Sequence, residues 1–117
     1  MHPAEERRRK ARGRRGETLA AWLLRLRGVR VLARNVRVQG AGEVDVLARD
    51  GRTLVLVEVK ARRAGGGEEA VGPQRQRALR RCAERLLAEP HHAWADTVRF
   101  DVIAVDAWRM RHLRDAF

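Results

Sequence analysis

The sequence holds one cysteine, three prolines, two phenylalanines and no tyrosine. The lone thiol, Cys82, excludes an internal disulfide framework and a multi-cysteine zinc site. With aromatics at 4% of residues, an aromatic stacking sheet of the RNA-binding kind has nothing to be built from. No apolar run approaches the eighteen or so residues that a membrane span needs. The arginine-rich start is not followed by the apolar stretch of a secretory signal. A cytoplasmic protein with no membrane partner is the expectation these absences leave.

Acidic residues are also scarce, fifteen against twenty-six basic ones, for a net charge of +11. Seven of the basic residues fall in the first fifteen positions, so both the start and the remaining body carry an excess. Such an excess points to a polyanionic partner, of which nucleic acid is the commonest. Lysine is scarcer still. There are twenty-four arginines and two lysines, and Lys60 is the only lysine beyond the basic start.

At 117 residues, 44% apolar, the chain fits one domain with a modest core. Residues 1–13 are expected as a basic flexible arm and 14–117 as the single folded domain. Leu19, Trp22, Leu23 and Leu26 recur at helical spacing, predicting a helix over about 14–27 that ends at Gly28 and carries Glu17 in its first turn. The period then changes to two. A strand with a break near Asn35 is followed by strands over 43–49 and 52–60, joined at Asp50-Gly51. The last of these is apolar on both faces and therefore central. A glycine-rich loop leads to Pro73, which suits the start of a second helix with an apolar stripe of Leu79, Cys82, Ala83 and Leu86. A further strand is expected over 97–105 and a short one near 108–114. The order α-β-β-β-α-β, with four to five strands, predicts an α/β fold around a mixed sheet flanked by helices.

If Asp50-Gly51 is a two-residue turn, Asp45 faces Leu56 and Glu43 faces Glu58. Residues that pair directly, or lie two apart on a strand, share a face. Glu43, Asp45, Glu58 and Lys60 then project together, with Asp45 and Glu58 as diagonal neighbours about 7–8 Å apart. Carboxylates clustered on a hydrophobic sheet resist desolvation and repel one another, and a divalent cation held by hard oxygens reverses both penalties. A lysine beside them is a compact point charge that can orient a water or stabilise charge on a phosphate where a wide guanidinium would not fit. This predicts a metal-dependent active site. Glu17 joins it if the first helix packs over that end of the sheet.

Gly16-Glu17, Arg34-Asn35, Gly42-Glu43-Val44-Asp45, Val57-Glu58-Val59-Lys60 with Arg62, and Arg99-Phe100-Asp101-Val102 occur in this order in the YraN family of uncharacterised bacterial proteins, which the chain resembles over about residues 12–117. That family is considered similar to archaeal Holliday junction resolvases and to the PD-(D/E)xK nuclease superfamily. The resemblance implies a restriction-endonuclease-like core and a Mg²⁺- or Mn²⁺-dependent endonuclease acting on DNA. It implies Asp45, Glu58 and the Val59 carbonyl as metal ligands, Lys60 as the residue that positions the attacking water, and Glu17 as the acid of the first helix. Relatives usually carry a lysine where Arg75 stands in Pro73-Gln74-Arg75-Gln76. Arg75, Arg77 and Arg62 are the expected phosphate contacts, which position a backbone without reading sequence. Action on branched DNA implies a homodimer, since cutting two strands needs a symmetric pair of sites. A nucleic-acid-binding adaptor that keeps the fold without cutting is the alternative.

Other features read as structural. Trp22 is expected in the core. Trp94 and Trp108 are minor candidates for base stacking. Asp101 is expected to pair with an arginine, Cys82 to be a buried small hydrophobe, and His91-His92 to lie in a solvated loop.

Overall fold

A computed structural model describes residues 3–61, 71–106 and 109–117, with side chains in the first helix from residue 15 onward. Among the described residues, two helices and five strands follow one another as α1 (Pro3–Leu26), β1 (Arg30–Val38), β2 (Gly42–Asp50), β3 (Thr53–Ala61), α2 (Pro73–Leu87), β4 (Thr97–Val105) and β5 (Met110–Leu113). A short 3₁₀ turn, Pro90–His92, precedes β4. The strands form one sheet in chain order, β1-β2-β3-β4-β5. Pairing is antiparallel except between β3 and β4, which run parallel across the α2 crossover. The fold is α/β with a mixed sheet, as the alternation of patterns predicted.

β3 is the middle strand, and Leu54, Val55, Leu56 and Val57 are fully buried because both of its faces are covered. Leu54 and Leu56 face α2, where Leu79, Cys82, Ala83 and Leu86 meet them. Val55 and Val57 face α1, where Ala20 and Leu24 pack. Burial raises the pKa of the Cys82 thiol, the expected behaviour of a packed, inert cysteine.

Three expectations change in detail. The first helix begins at Pro3, well before residue 14. Pro3 suits a first helical position, and the Ala/Glu/Arg-rich run after it has high helix propensity. The face of α1 that packs is also different. Ala20, Ala21 and Leu24 are buried, whereas Trp22 is 58% and Leu26 81% exposed, so Trp22 is not core. Small residues let the helix lie close to the sheet: a methyl added at Gly16 would stand 3.4 Å from Val59 Cγ1. Trp22 and Leu26 are left outside, with the Arg25 guanidinium over the Trp22 ring. Finally, β1 continues through Asn35, which takes a left-handed φ of 52°. Its irregularity lies between Val31 and Ala33, where the register with β2 shifts.

Candidate metal centre

The hairpin between β2 and β3 sets the site. Asp50 pairs with Thr53, so the turn residues are Gly51 and Arg52 rather than Asp50 and Gly51. Gly51 supplies the left-handed φ of 63°. Asp50 remains in the strand, where its carboxylate accepts from Arg99 at 2.9 Å and from Arg114 at 3.1 Å. The expected pairs of Asp45 with Leu56 and Glu43 with Glu58 are therefore replaced. Leu47 faces Leu56 and Val46 faces Val57. The ladder ends at that pair, and Asp45 and Glu58 are the next residues of the two strands beyond it. The slip moves the pairing by an even number of positions, so the residues within the ladder keep their expected face. Beyond it, Val44 packs with the α2-side cluster although Val46 packs with the α1-side one.

The Asp45 and Glu58 side chains are hydrogen-bonding neighbours, closer than a diagonal pair with backbones about 7–8 Å apart requires. The backbone N–H of Val59 donates to Asp45 Oδ2 at 2.8 Å, so the carboxylate ties β2 to β3 beyond the last ladder pair. Glu58 is buried. Burial, then a hydrogen bond to Glu58 and that residue's charge, push the Asp45 carboxyl up to about 8. Burial acts on Glu58 in the same direction, but hydrogen bonds from Arg75 and Asp45 and the charges of Arg75 and Lys60 outweigh it and hold Glu58 below its ordinary range. The two acids thus share one proton, carried by Asp45 and offered to the Glu58 carboxylate.

Glu17 and Lys60 converge on the same end of the sheet. Glu17 is buried on α1, and its charge adds to the upward push on Asp45. Lys60 lies two residues along β3 from Glu58, on the same face, and its charge lowers the Glu58 pKa. Val59 lies between them and faces α1, partly buried. Glu43 has an exposed side chain and contributes only its carbonyl, which accepts from Arg75 at 2.7 Å.

Arg75 is the residue whose place the sequence did not reveal. Its Nε donates to Glu58 Oε2 at 2.6 Å and its terminal nitrogen to Glu58 Oε1 at 3.1 Å. The first turn of α2 thereby places a guanidinium fork on a β3 carboxylate seventeen residues earlier in the chain. Arg77 is exposed on the same helix. Arg62 and Trp108 lie outside the described residues.

The donor set fits a divalent cation. Two opposed carboxylates, one buried and the other kept protonated by its surroundings, supply hard oxygens whose mutual repulsion and desolvation such an ion relieves. The model for the uncharacterised protein family UPF0102 matches residues 16–105, from the glycine beneath Glu17 to the end of β4. The chain belongs to UPF0102. This is the YraN family of the sequence resemblance. A UPF0102 protein of Parvibaculum lavamentivorans is 50% identical over 108 residues, covering 90% of this chain and 80% of the relative. One from Bordetella avium is 44% identical over 112 residues, covering 93% and 76%. One from Streptomyces coelicolor is 47% identical over 100 residues, covering 83% and 77%.

In this UPF0102 chain Asp101 is structural, as expected. It is fully buried and accepts from Arg99 Nε at 2.9 Å, His112 Nε2 at 2.8 Å and the Asp115 N–H at 2.9 Å. His92 departs from the solvated-loop expectation. It is buried, with Nδ1 2.7 Å from the Leu86 carbonyl. Trp94 is partly buried and covered by the Arg49 guanidinium 4.1 Å from its ring centre, which occupies the face a stacked base would need. Among the described residues no helix is long and apolar enough to cross a membrane.

Proposed function

We propose that the protein is a Mg²⁺- or Mn²⁺-dependent nuclease that hydrolyses DNA phosphodiester bonds, on branched or otherwise structured DNA, within a restriction-endonuclease-like core. One observation carries this reading: Asp45 and buried Glu58 are hydrogen-bonding neighbours on adjacent strands, with the Val59 N–H on Asp45 and Lys60 two residues along β3 from Glu58. Asp45, Glu58 and the Val59 carbonyl would hold the ion. When bound, the ion supplies Lewis-acid polarisation of the phosphate and a lowered pKa for water.

The protein's own residues do the rest. Asp45 gives up its proton as the site fills, so both carboxylates face the ion ionised. Lys60 places a compact positive charge at the rim of the pair, able to orient the attacking water and balance charge developing on the phosphate. Glu17 adds a buried negative charge behind Asp45 and keeps the site selective for cations. Arg75 exchanges Glu58 for a phosphate oxygen, a fork geometry that suits either partner. Exposed Arg77 and the arginine-rich start provide contacts to the sugar-phosphate backbone whose strength falls steeply with salt. A homodimer accompanies junction cleavage, since one site cuts one strand.

The test is cleavage of supercoiled, single-stranded, flap and four-way-junction DNA with Mg²⁺, Mn²⁺ or EDTA, alongside Asp45→Asn and Lys60→Ala. Metal-dependent cutting abolished by both substitutions is expected. Salt-sensitive binding without cutting by any form would instead establish the adaptor reading. The observation favouring that second reading is Arg75, whose fork already neutralises Glu58.

A further inference from the structure

We infer that the outer face of α1 is a contact for unpaired nucleotides, with Trp22 stacking on a base of a single-stranded DNA arm. The inference rests on the DNA partner of the proposed function and adds to it the class of substrate. Leu19, Trp22 and Leu26 are all exposed. Their spacing of three and four residues sets them on one stripe of the helix, and exposed Arg15 extends that stripe by a further turn. Ala20 and Leu24 bury the opposite face against the sheet, so the core has no need of these larger side chains. Exposed apolar side chains gathered in one place, unlike scattered ones, mark a contact surface.

Trp22 is also the ring that remains open. Phe100 and Phe117 stack on each other with centres 5.0 Å apart, and Arg80 covers both. Trp94 lies under Arg49 and edge-on to His92. Among the Phe and Trp rings of the described residues, Trp22 alone is exposed. The Arg25 guanidinium stands 6.0 Å from its centre, at the limit of a cation–π contact and within reach of the phosphate beside a stacked base. Charge selects the occupant. Arg15 and Arg25 flank the stripe, and seven basic residues lie in the first fifteen positions, which lead into it. A second copy of the chain would set arginine against arginine. An anionic bilayer would suit the charge, but three side chains over two turns give it little apolar area to take up. A base flanked by phosphates suits both the ring and the arginines.

Position fixes the kind of DNA. Glu17 is buried on the same helix, where its charge acts on Asp45. Trp22 follows five residues later, about 7.5 Å along the axis, and faces outward. The helix, about 10–12 Å across, thus separates the stacked base from the carboxylate pair. A paired base has both faces covered by its neighbours in the duplex. The base on Trp22 therefore belongs to an unpaired arm that leaves the duplex near the pair, as in a flap or a fork.

The experiment is binding of the full chain, in EDTA so that no cleavage enters, to oligothymidylate, a blunt duplex and a duplex with a single-stranded arm. Wild type is compared with Trp22→Ala and Trp22→Phe, whose exposed site lets them fold, as circular dichroism checks. Trp22→Ala should weaken binding of oligothymidylate and the armed duplex roughly 5- to 150-fold, the size of one base stacked on an aromatic ring, and leave the blunt duplex unchanged. That ratio should persist as salt rises, whereas phosphate contacts weaken. Trp22→Phe should restore most of the affinity and lose the tryptophan quenching that oligothymidylate causes in wild type. Trp22→Ala binding all three DNAs as wild type does, or weakened equally for all three, overturns the stack. So does a fall in solution mass on Trp22→Ala, which would make the stripe an interface between copies. A Trp22 emission shift with phosphatidylserine vesicles but not with oligothymidylate would give it to a membrane instead. Normal duplex binding with Trp22 indifferent removes this inference alone, whereas no binding to any DNA removes the nuclease reading with it.

Discussion

Two aspartates on neighbouring parts of one sheet, Asp45 on β2 and Asp101 on β4, have opposite electrostatic lives. Burial weighs against the charge of each. Asp101 answers with two nitrogens of Arg99, the His112 ring and the Asp115 N–H, which together keep it below its ordinary range. Asp45 has the Val59 N–H and faces a second acid, and is pushed up to about 8. One surrounding is completed by the chain itself. The other is complete only when something positive arrives, and that difference separates a structural acid from a candidate ligand.

The largest effect expected is at the completed aspartate. Asp101→Ala leaves the His112 ring, 1% exposed, buried without its acceptor and Arg99 with Asp50 alone. Breaking a buried pair from one side costs about 3–5 kcal/mol, which urea denaturation would read directly. Arg27 donates to His112 Nδ1 at 2.9 Å, so Nε2 is the nitrogen that donates to Asp101 and is stranded by the substitution. A loss below about 1 kcal/mol would break the contrast between the two acids.

The same step at the other acid should change sign. A carboxyl with a raised folded-state pKa contributes stability that is present below the unfolded value and lost as pH rises through the folded one. For Asp45 that window runs from about 3.8 to about 8. Asp101, with a lowered pKa, contributes stability that is present above 3.8 and lost as pH falls. Asp45→Asn keeps an acceptor for the Val59 N–H and removes the ionisation. The variant should therefore match or exceed wild type near pH 8 by about 1–3 kcal/mol, a discounted share of the ~1.4 kcal/mol per pH unit that linkage permits. Unfolding curves from pH 4 to 9 would decide it. A wild-type curve as flat as the variant's would show that Asp45 titrates normally.

Arg75 tests whether a cation is what the pair lacks. Arg75→Ala removes the fork from Glu58 and returns the pair to uncompensated acids. Hydrogen bonds to charged groups contribute about 1.5–3 kcal/mol, and a loss at the lower end is expected because Arg75 is partly exposed. Excess Mg²⁺ should then raise the melting temperature of the variant more than that of wild type, since ligand binding to the folded state stabilises it by mass action. Equal shifts would show that Mg²⁺ and Arg75 do not compete for Glu58.

Much of this was legible. β3 was recognisable as central because Leu54 to Val57 leave no polar face, and α2 because its stripe is spaced for one side of a helix. Glu58 and Lys60 were placed on one face by the alternation of β3, and Asp45 was brought beside Glu58 by the hairpin, which survives an even slip. The hairpin register was not legible to the residue, since Asp50 is held in the strand by Arg99 and Arg114, both remote in sequence. α1 was assigned the wrong face because hydrophobicity ranks Trp22 and Leu26 above Ala20, whereas close approach to the sheet favours the smaller side chain. The Arg75–Glu58 pair depends on how α2 docks, which no local pattern encodes.

The smallest predicted effect separates the interior of the Asp101 network from its rim. Arg99 and Arg114 both reach Asp50 Oδ2, at 2.9 and 3.1 Å. Arg99 is 14% exposed and also holds Asp101, whereas Arg114 is 60% exposed and holds Asp50 alone among the carboxylates. An exposed pair gains little in high dielectric and loses side-chain freedom, so Arg114→Ala should change stability by about 0–0.5 kcal/mol. Raising the salt to 1 M should erase even that, because charges near the surface are then screened over about 3 Å. Arg99→Ala in the same urea series should resemble Asp101→Ala in sign and approach it in size. If Arg114 proved as costly as Arg99, Asp50 would belong to the buried network, and what completes Asp101 would extend from the sheet interior to the surface turn that carries Gly51.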